Sequence, residues 1–226
     1  MSQSTLQPIA IWSLGFSPNP FKIMIICEEL GVPYDIKQVA LSDVKKEPYT
    51  SLNPNGRVPT IEDPNTGITL WESGAIVEYL IDNYDINSAL AYTKPENFKQ
   101  YYQTRMWACF QISGQGPYFG QMSWFSYHHS EKLPSAIERY YNEIKRVTGV
   151  LDAHLGRSGS PYLVGDKCTY ADLMFLPYIK TLGVLIVPDF DTSVYTNYSA
   201  WVNRMMERAA VKKVMSVMDE AFKTGP

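Results

Sequence analysis

Cysteine and histidine are scarce in this sequence of 226 residues, which contains three of each. Cys27, Cys109 and Cys168 form no C-x-x-C pair, and their odd number argues against a disulfide framework or a zinc knot. We expect each cysteine to be a small, buried, apolar residue. Two of the histidines, His128 and His129, are adjacent and lack the i, i+4 spacing of a helical metal site, so we expect no metal.

Basic clusters and long apolar runs are also missing. Lys and Arg cluster only at 45–46 and 212–213, and the net charge is -3, which gives no electrostatic footprint for a nucleic acid. No run of roughly 18 apolar residues is long enough to span a bilayer, and the polar start, 1–7, lacks the features of a signal peptide. We therefore expect no nucleic-acid or membrane partner and a cytoplasmic location.

The composition is otherwise that of an ordinary globular protein. Hydrophobic residues make up 45% of the chain and charged residues 19%, enough to bury a sizeable core. Because single cores tend to divide above roughly 200 residues, the length favours two unequal units.

The first half of the chain predicts a small α/β unit. An apolar run at 9–14 indicates a buried strand, 19–30 has helical spacing and stops at Gly31, and 34–39 alternates as a second strand. This βαβ unit requires parallel pairing through a right-handed crossover. The order βαβαββα is completed by a short helix at 45–51, a hairpin of strands at 60–62 and 68–70, and a helix from 73 to 84.

The second half shows helical periodicity and no further strand pattern. Thr169–Asp172 fits a capping box, in which the Thr hydroxyl and the Asp carboxylate bond each other's backbone N–H, and we interpret it as a folding element. We predict an α/β unit at 1–85, a linker at 86–95 and an all-helical unit at 96–226. The predicted helices cover 96–121, 133–155, 169–182, 195–206 and 209–222.

The junction between the first strand and the first helix predicts an anion site. The free backbone N–H groups and the positive dipole end of a helix face whatever lies above such a turn. Ser17 is suited to the cap, and Pro18 or Pro20 to the first helical turn. Taken alone, the pattern is more often that of an ordinary helix start.

Three stretches together resemble the cytosolic glutathione transferases: Ser17–Lys22, Asn53–Pro59 and Leu70–Ile76. Two further stretches, Gly116–Gln121 and Leu133–Tyr140, are similar to the bacterial Nu class and to the fungal branch related to the yeast nitrogen-regulator prion. The resemblance spans nearly the whole chain. It implies a thioredoxin-like domain followed by a helical domain, a fungal source, glutathione as cofactor and a homodimer.

The resemblance also implies which residues bind glutathione. Val58 precedes Pro59, a cis proline in this family, which turns the Val58 backbone outward to pair with the cysteinyl part of glutathione as an added strand would. Ser73 offers its hydroxyl and N–H groups to the γ-glutamyl carboxylate, and Glu72 accepts the γ-glutamyl amine. As bare sequence, Glu-Ser before a helix is more often a simple cap. Lys45 or Lys46 is a candidate for the glycyl carboxylate, although a lysine is more often solvated. Arg139 matches an arginine that reaches glutathione in Nu-class dimers, in its own or the partner's site, although an isolated arginine on a helix is more often a surface residue.

Catalysis would require glutathione as a thiolate, because a free thiol with a pKa near 8.5 is only slightly ionised at neutral pH. Asn19 stands where related sequences carry a catalytic cysteine, which excludes mixed-disulfide chemistry on a protein thiol at this position. The Asn19 amide, the Ser17 hydroxyl and the helix N-terminus remain to stabilise the sulfur anion. Ser17–Asn19 matches the Thr-Pro-Asn of the Nu class, and the choice between the two side chains stays open.

The second substrate is expected against the helical unit, where aromatic residues suit an apolar electrophile. Aromatics at helical spacing are as often core residues, so packing is an equal alternative. The candidate pocket residues are Phe16, Trp107, Phe110, Tyr118, Phe119, Met122, Trp124 and Tyr127.

Four functions remain open. The first two are glutathione-dependent enzymes, one conjugating the thiolate to an electrophile and one adding it reversibly to a double bond, which gives isomerisation; the resemblance extends to pathway-specific members of fungal secondary metabolism. The third is a disulfide reductase without a protein thiol. The fourth is a non-catalytic regulator, against which we count the lack of a long Asn/Gln-rich segment before Ile9.

Overall fold

The computed structural model describes residues 6–187 and 189–224. The contacts divide the chain into two compact units. The first unit combines the part of the chain before Leu90 with the part after Glu207, and the second unit is Leu90–Glu207. The last helix therefore groups with the first unit. The predicted division at 1–85, 86–95 and 96–226 stays a prediction.

The first unit contains a four-stranded mixed sheet in the order β2-β1-β3-β4. β1 pairs parallel to β2 and antiparallel to β3, and β3 pairs antiparallel to β4. This is the thioredoxin-like arrangement that the βαβ and ββα patterns predicted. The strands are β1 Ile9–Ser13, β2 Tyr34–Gln38, β3 Thr60–Asp63 and β4 Ile68–Trp71.

Three helices connect or follow these strands, α1 Pro18–Leu30, α2 Tyr49–Leu52 and α3 Ser73–Tyr84. α1 is buried from Pro20 to Cys27, so it forms part of the core of the first unit. Gly31 ends α1 in the left-handed conformation, with φ 66°, as predicted. α2 is shorter than the predicted helix at 45–51 because a residue before proline, here Glu47, disfavours helical geometry.

The second unit is helical, with α4 Phe98–Phe110, α5 Gly116–Ser123, α6 Pro134–Ser158, α7 Tyr170–Thr181 and α8 Thr196–Met206. π-helical turns at Gln111–Gln115 and Trp124–His128 follow α4 and α5, and a third, Leu182–Ile186, follows α7. The helical backbone from α4 therefore runs on to His128, beyond the predicted end at 121. In the described part of the chain no helix is both long and apolar enough to cross a bilayer.

The core of the second unit is organised by Asp172 in α7, which is fully buried. Its carboxylate accepts hydrogen bonds from the backbone N–H of Leu163 at 2.9 Å and of Thr169 at 2.9 Å, from the Thr169 hydroxyl at 2.8 Å, and from the Trp201 indole at 2.9 Å. Burial raises the pKa of this carboxyl group, and the four donors act in the opposite direction. The predicted folding element thus also fixes α8 through Trp201.

The final helix, α9 Ala209–Thr224, packs on α1 within the first unit. Arg208 donates to both carboxylate oxygens of Glu29, at 2.6 and 2.7 Å, and Lys213 pairs with Glu28 at 2.7 Å. The Arg208–Glu29 pair is bidentate, and it is more deeply buried than the Lys213–Glu28 pair, so solvent weakens it less.

The cysteine expectation is wrong at one position. Cys27 and Cys168 are buried, but Cys109 is exposed on α4, and none of these three described cysteines forms a disulfide. Burial raises the pKa of the Cys27 thiol, so that side chain is an apolar packing residue and not a nucleophile.

Candidate functional site

Three connections of the first unit meet at one edge of its sheet. Trp12 in β1 pairs with Thr60 in β3, and Thr60 pairs with Trp71 in β4. At this edge β1 runs into the turn before α1, β3 begins after Pro59, and β4 ends before Glu72. Since neighbouring strands lie about 4.8 Å apart, the three stretches singled out from the sequence are adjacent in the fold.

The turn before α1 carries few backbone donors. Ser17 is the N-cap residue, with φ -66° and ψ 125°, and its side chain makes no capping hydrogen bond. Pro18 and Pro20 have no N–H, so the backbone N–H of Asn19 is the free donor among the first three helical residues. The Ser17 hydroxyl, the Asn19 amide and one peptide N–H are therefore what this helix start offers to an anion.

The Val58–Pro59 peptide bond is cis, as the resemblance implied. The carbonyl of Arg57 just before it accepts hydrogen bonds from the Tyr49 hydroxyl at 2.8 Å and the Asn53 amide at 2.7 Å. Both side chains are buried and also reach Thr60 at the start of β3. They hold the Val58–Pro59 loop at the residue before it, Arg57, and at the residue after it, Thr60. The sequence analysis did not assign this supporting role to them.

Lys45 lies beside the same loop. Its ammonium donates to the carbonyl of Asn55 at 2.7 Å, and the side chain is exposed. Gly56 has φ +56°, and a Cβ at this position would lie 2.7 Å from the carbonyl of Val44, so the two segments approach closely only because residue 56 is glycine. Lys45 is thereby brought to the edge that carries Val58.

Glu72 has a strained backbone. Its φ is 71° with ψ 111°, a region that residues with a Cβ rarely occupy and that costs on the order of 1–3 kcal/mol. Glu72 is the N-cap residue of α3, yet its side chain makes no capping hydrogen bond. The first backbone hydrogen bond of the helix runs from the N–H of Ile76 to the carbonyl of Glu72. The N–H groups of residues 73–75 therefore have no acceptor within the helix, and the Glu72 side chain does not cap them. Capping thus does not account for Glu72, and its strain marks a candidate ligand site.

Lys22 is the functional candidate that the sequence analysis missed. It is 2% exposed in the middle of α1, and its ammonium donates to the Ser73 hydroxyl at 3.4 Å. Burial lowers the pKa of Lys22 to about 7, and the Glu72 carboxylate acts in the opposite direction. A signal was present, because Lys22 lies in an otherwise apolar helix segment, Phe21–Cys27, which leaves a lysine no solvated face.

The pocket residues predicted in the second unit differ in exposure. Trp107, Phe119 and Met122 are at most 6% exposed and pack in the helical core, which leaves them little surface for a substrate. Trp124 is 50% and Tyr127 58% exposed, and Phe110 and Tyr118 are half-buried.

The remaining predicted residues have fewer constraints. Phe16 is half-buried in the turn before α1, and Arg139 is exposed on α6. Their roles stay predictions. Among residues 6–187 and 189–224, no group of three His, Cys, Asp or Glu side chains is placed to hold a metal ion.

The fold and the candidate site define the class of the protein: a thioredoxin-like unit with a cis-proline loop and a helix N-terminus at one sheet edge, joined to a helical unit. Residues 16–83 match the family model of the glutathione S-transferase N-terminal domain, and residues 118–216 match that of the C-terminal domain. The chain belongs to the glutathione S-transferase family.

Individual relatives agree with this assignment. The chain is 45% identical to the glutathione S-transferase-like protein gedE of Aspergillus terreus, over 95% of this chain and 97% of the relative. It is 31% identical to the transcriptional regulator URE2 of Saccharomyces cerevisiae, over 94% of this chain and 69% of that protein. Among solved structures, the glutathione transferase URE2P6 of Phanerochaete chrysosporium, in complex with oxidized glutathione, has a TM-score of 0.88 and 39% identity, with 98% of this chain and 100% of that chain covered.

Proposed function

We propose that the chain is a glutathione-dependent enzyme that holds glutathione as a thiolate at the start of α1. The thiol proton passes to solvent, and the sulfur forms a bond to an electrophilic carbon. In conjugation a leaving group departs with the bonding electron pair, whereas in isomerisation the sulfur adds to a conjugated double bond and is later eliminated.

One observation carries this proposal: the Ser17–Asn19 turn, the Val58–Pro59 loop and the Glu72–Ser73 helix start lie at one sheet edge. The first has donors for a sulfur anion, the second a peptide that can pair as an added strand, and the third an uncapped helix N-terminus for a carboxylate. Glutathione carries all three complementary groups. Lys45 and Arg139 remain candidates for its other carboxylate.

Calorimetry tests glutathione binding. We expect heat of binding for reduced glutathione with a Kd between micromolar and millimolar. Ser73→Ala should weaken the affinity about tenfold, because a hydrogen bond to a charged group is lost.

The matched control is Ser216→Ala, since Ser216 is exposed on α9 in the same unit. It should bind as the wild type does. A folded wild type that gives no heat at several millimolar glutathione would rule out the enzyme and leave the regulator as the remaining function.

A second candidate activity is the reduction of disulfides that contain glutathione. It is favoured by the structural relative in complex with oxidized glutathione and by Asn19 in place of a protein thiol. Turnover of a mixed disulfide of glutathione, coupled to glutathione reductase, would distinguish this activity from conjugation. A role in secondary metabolism and a cytoplasmic location stay predictions.

For the electrophile we propose the exposed aromatic residues Trp124 and Tyr127, together with the half-buried Phe110 and Tyr118. Trp124 and Tyr127 lie in the π-helical turn after α5, and such turns are frequent at functional sites. Apolar side chains with remaining surface fit an apolar second substrate.

We also propose a homodimer. Phe98, Tyr102 and Met106 recur every four residues on α4 and are 63%, 48% and 54% exposed, so they form one apolar row that a second copy would cover. Light scattering at micromolar concentration should give about 51 kDa, twice the 25.7 kDa of one chain. A mass near that of one chain would contradict the dimer.

A further inference from the structure

We propose that Lys22 is a positioning residue for the γ-glutamyl carboxylate of glutathione, acting from beneath Ser73. This inference rests on the proposed function and assigns a residue to the same site.

The first step is the geometry of the hydroxyl. The ammonium of Lys22 donates to Ser73 Oγ at 3.4 Å, and both side chains are buried. A hydroxyl that accepts from a cation directs its own hydrogen elsewhere, and so becomes a donor. At the first residue of α3 that donor lies beside the backbone N–H groups that no side chain caps. Lys22 therefore orients the Ser73 hydroxyl for an acceptor such as a carboxylate.

The second step is the charge. A buried lysine destabilises the fold unless other groups stabilise its charge, because desolvation disfavours the charged form. Burial lowers the pKa of Lys22 to about 7, so near neutral pH the charged form is only partly populated in the free protein. A carboxylate bound at the α3 N-terminus would favour the charged form, as Glu72 already does.

The test compares glutathione with an analogue that lacks only this carboxylate, 4-aminobutanoyl-cysteinyl-glycine. Lys22→Met keeps most of the apolar stem and removes the ammonium. We expect the Kd of glutathione to rise about tenfold, while the Kd of the analogue changes less than twofold. The thermal midpoint should stay equal or rise, because a buried amine whose charged form is disfavoured by desolvation is replaced by an apolar group. Lys99→Met, which removes an exposed lysine on α4, should leave both affinities unchanged.

A double-mutant cycle shows whether Lys22 acts through Ser73. The losses of glutathione affinity in Lys22→Met and Ser73→Ala should not add in the double variant, because both disturb one hydroxyl. Additive losses would overturn the positioning role. If Lys22→Met loses affinity equally for glutathione and for the analogue and has a lowered thermal midpoint, Lys22 is a structural residue only. An unchanged affinity of Lys22→Met for glutathione would also overturn the inference. A wild type that does not bind glutathione would instead overturn the proposed function itself, which keeps the two failures distinct.

Discussion

Asp172→Ala should lower the stability of the helical unit by about 3–5 kcal/mol, which corresponds to a change of roughly 150- to 5,000-fold in its unfolding equilibrium. The substitution removes the acceptor of four hydrogen bonds in a fully buried position. It leaves the N–H groups of Leu163, Thr169 and Trp201 without their acceptor where water cannot replace it. Losses of this size arise from few mechanisms, and an unsatisfied buried network is one of them.

Urea unfolding followed by tryptophan fluorescence measures the effect, since Trp201 belongs to the network. Two compact units need not unfold together, so the shift of the Trp201-dependent transition is the quantity to compare. Asp172→Asn, which retains one acceptor oxygen, should fall between the wild type and Asp172→Ala. Asp166→Ala, at an exposed position of the same connection, should change the midpoint little. An Asp172→Ala midpoint equal to that of the wild type would show that the network contributes nothing to the unit.

The first unit was predictable because its signals are local. The βαβ and ββα elements follow from runs of apolar residues, and Gly31 supplies the left-handed stop of α1. The sequence order of these elements then leaves few ways to place the strands, and the resemblance selects the thioredoxin-like one among them.

The helical unit was less predictable, because its helices depart from one regular period. Each π-helical turn adds a residue and rotates the apolar stripe, so the pattern after Gln111 no longer continues that of α4. The predicted helix ended at 121, although the helical backbone reaches His128 through the second π-helical turn, Trp124–His128. Cys109 was expected inside because composition gives the frequency of burial and not the face of the helix.

The sequence predicts where the candidate site residues lie in the fold, but not the contacts that support them, and their role in binding stays a prediction. Motif order placed Ser17, Val58 and Ser73 together, because each follows or precedes a strand end. The Lys22 ammonium acts through a contact with Ser73, 51 residues away, which no local pattern contains. Trp107 showed the limit of the aromatic argument, since helical spacing alone does not separate a pocket wall from a core.

Asn19→Ala should slow turnover of a common electrophile roughly ten- to hundredfold, the equivalent of one charge-assisted hydrogen bond of about 1.5–3 kcal/mol. The physical reason is that the amide of Asn19 is uncharged and stabilises the thiolate only by donation, so its loss raises the apparent pKa of bound glutathione. The pH profile of turnover should therefore move to higher pH. Glutathione affinity should change far less, because in the proposed binding mode the peptide is held mainly at the Val58 and Ser73 positions.

Ser17→Ala is the matched comparison, since Ser17 offers the other side-chain donor at the same helix start. Because the Ser17 hydroxyl makes no capping hydrogen bond, Ser17→Ala removes no cap and should not lower the thermal stability. If the hydroxyl is the main donor, the larger shift of the pH profile will appear in this variant. If wild type, Asn19→Ala and Ser17→Ala give superimposable profiles, neither side chain tunes the thiol. The backbone N–H of Asn19 would then be the remaining donor of the first turn, because the prolines at 18 and 20 have none.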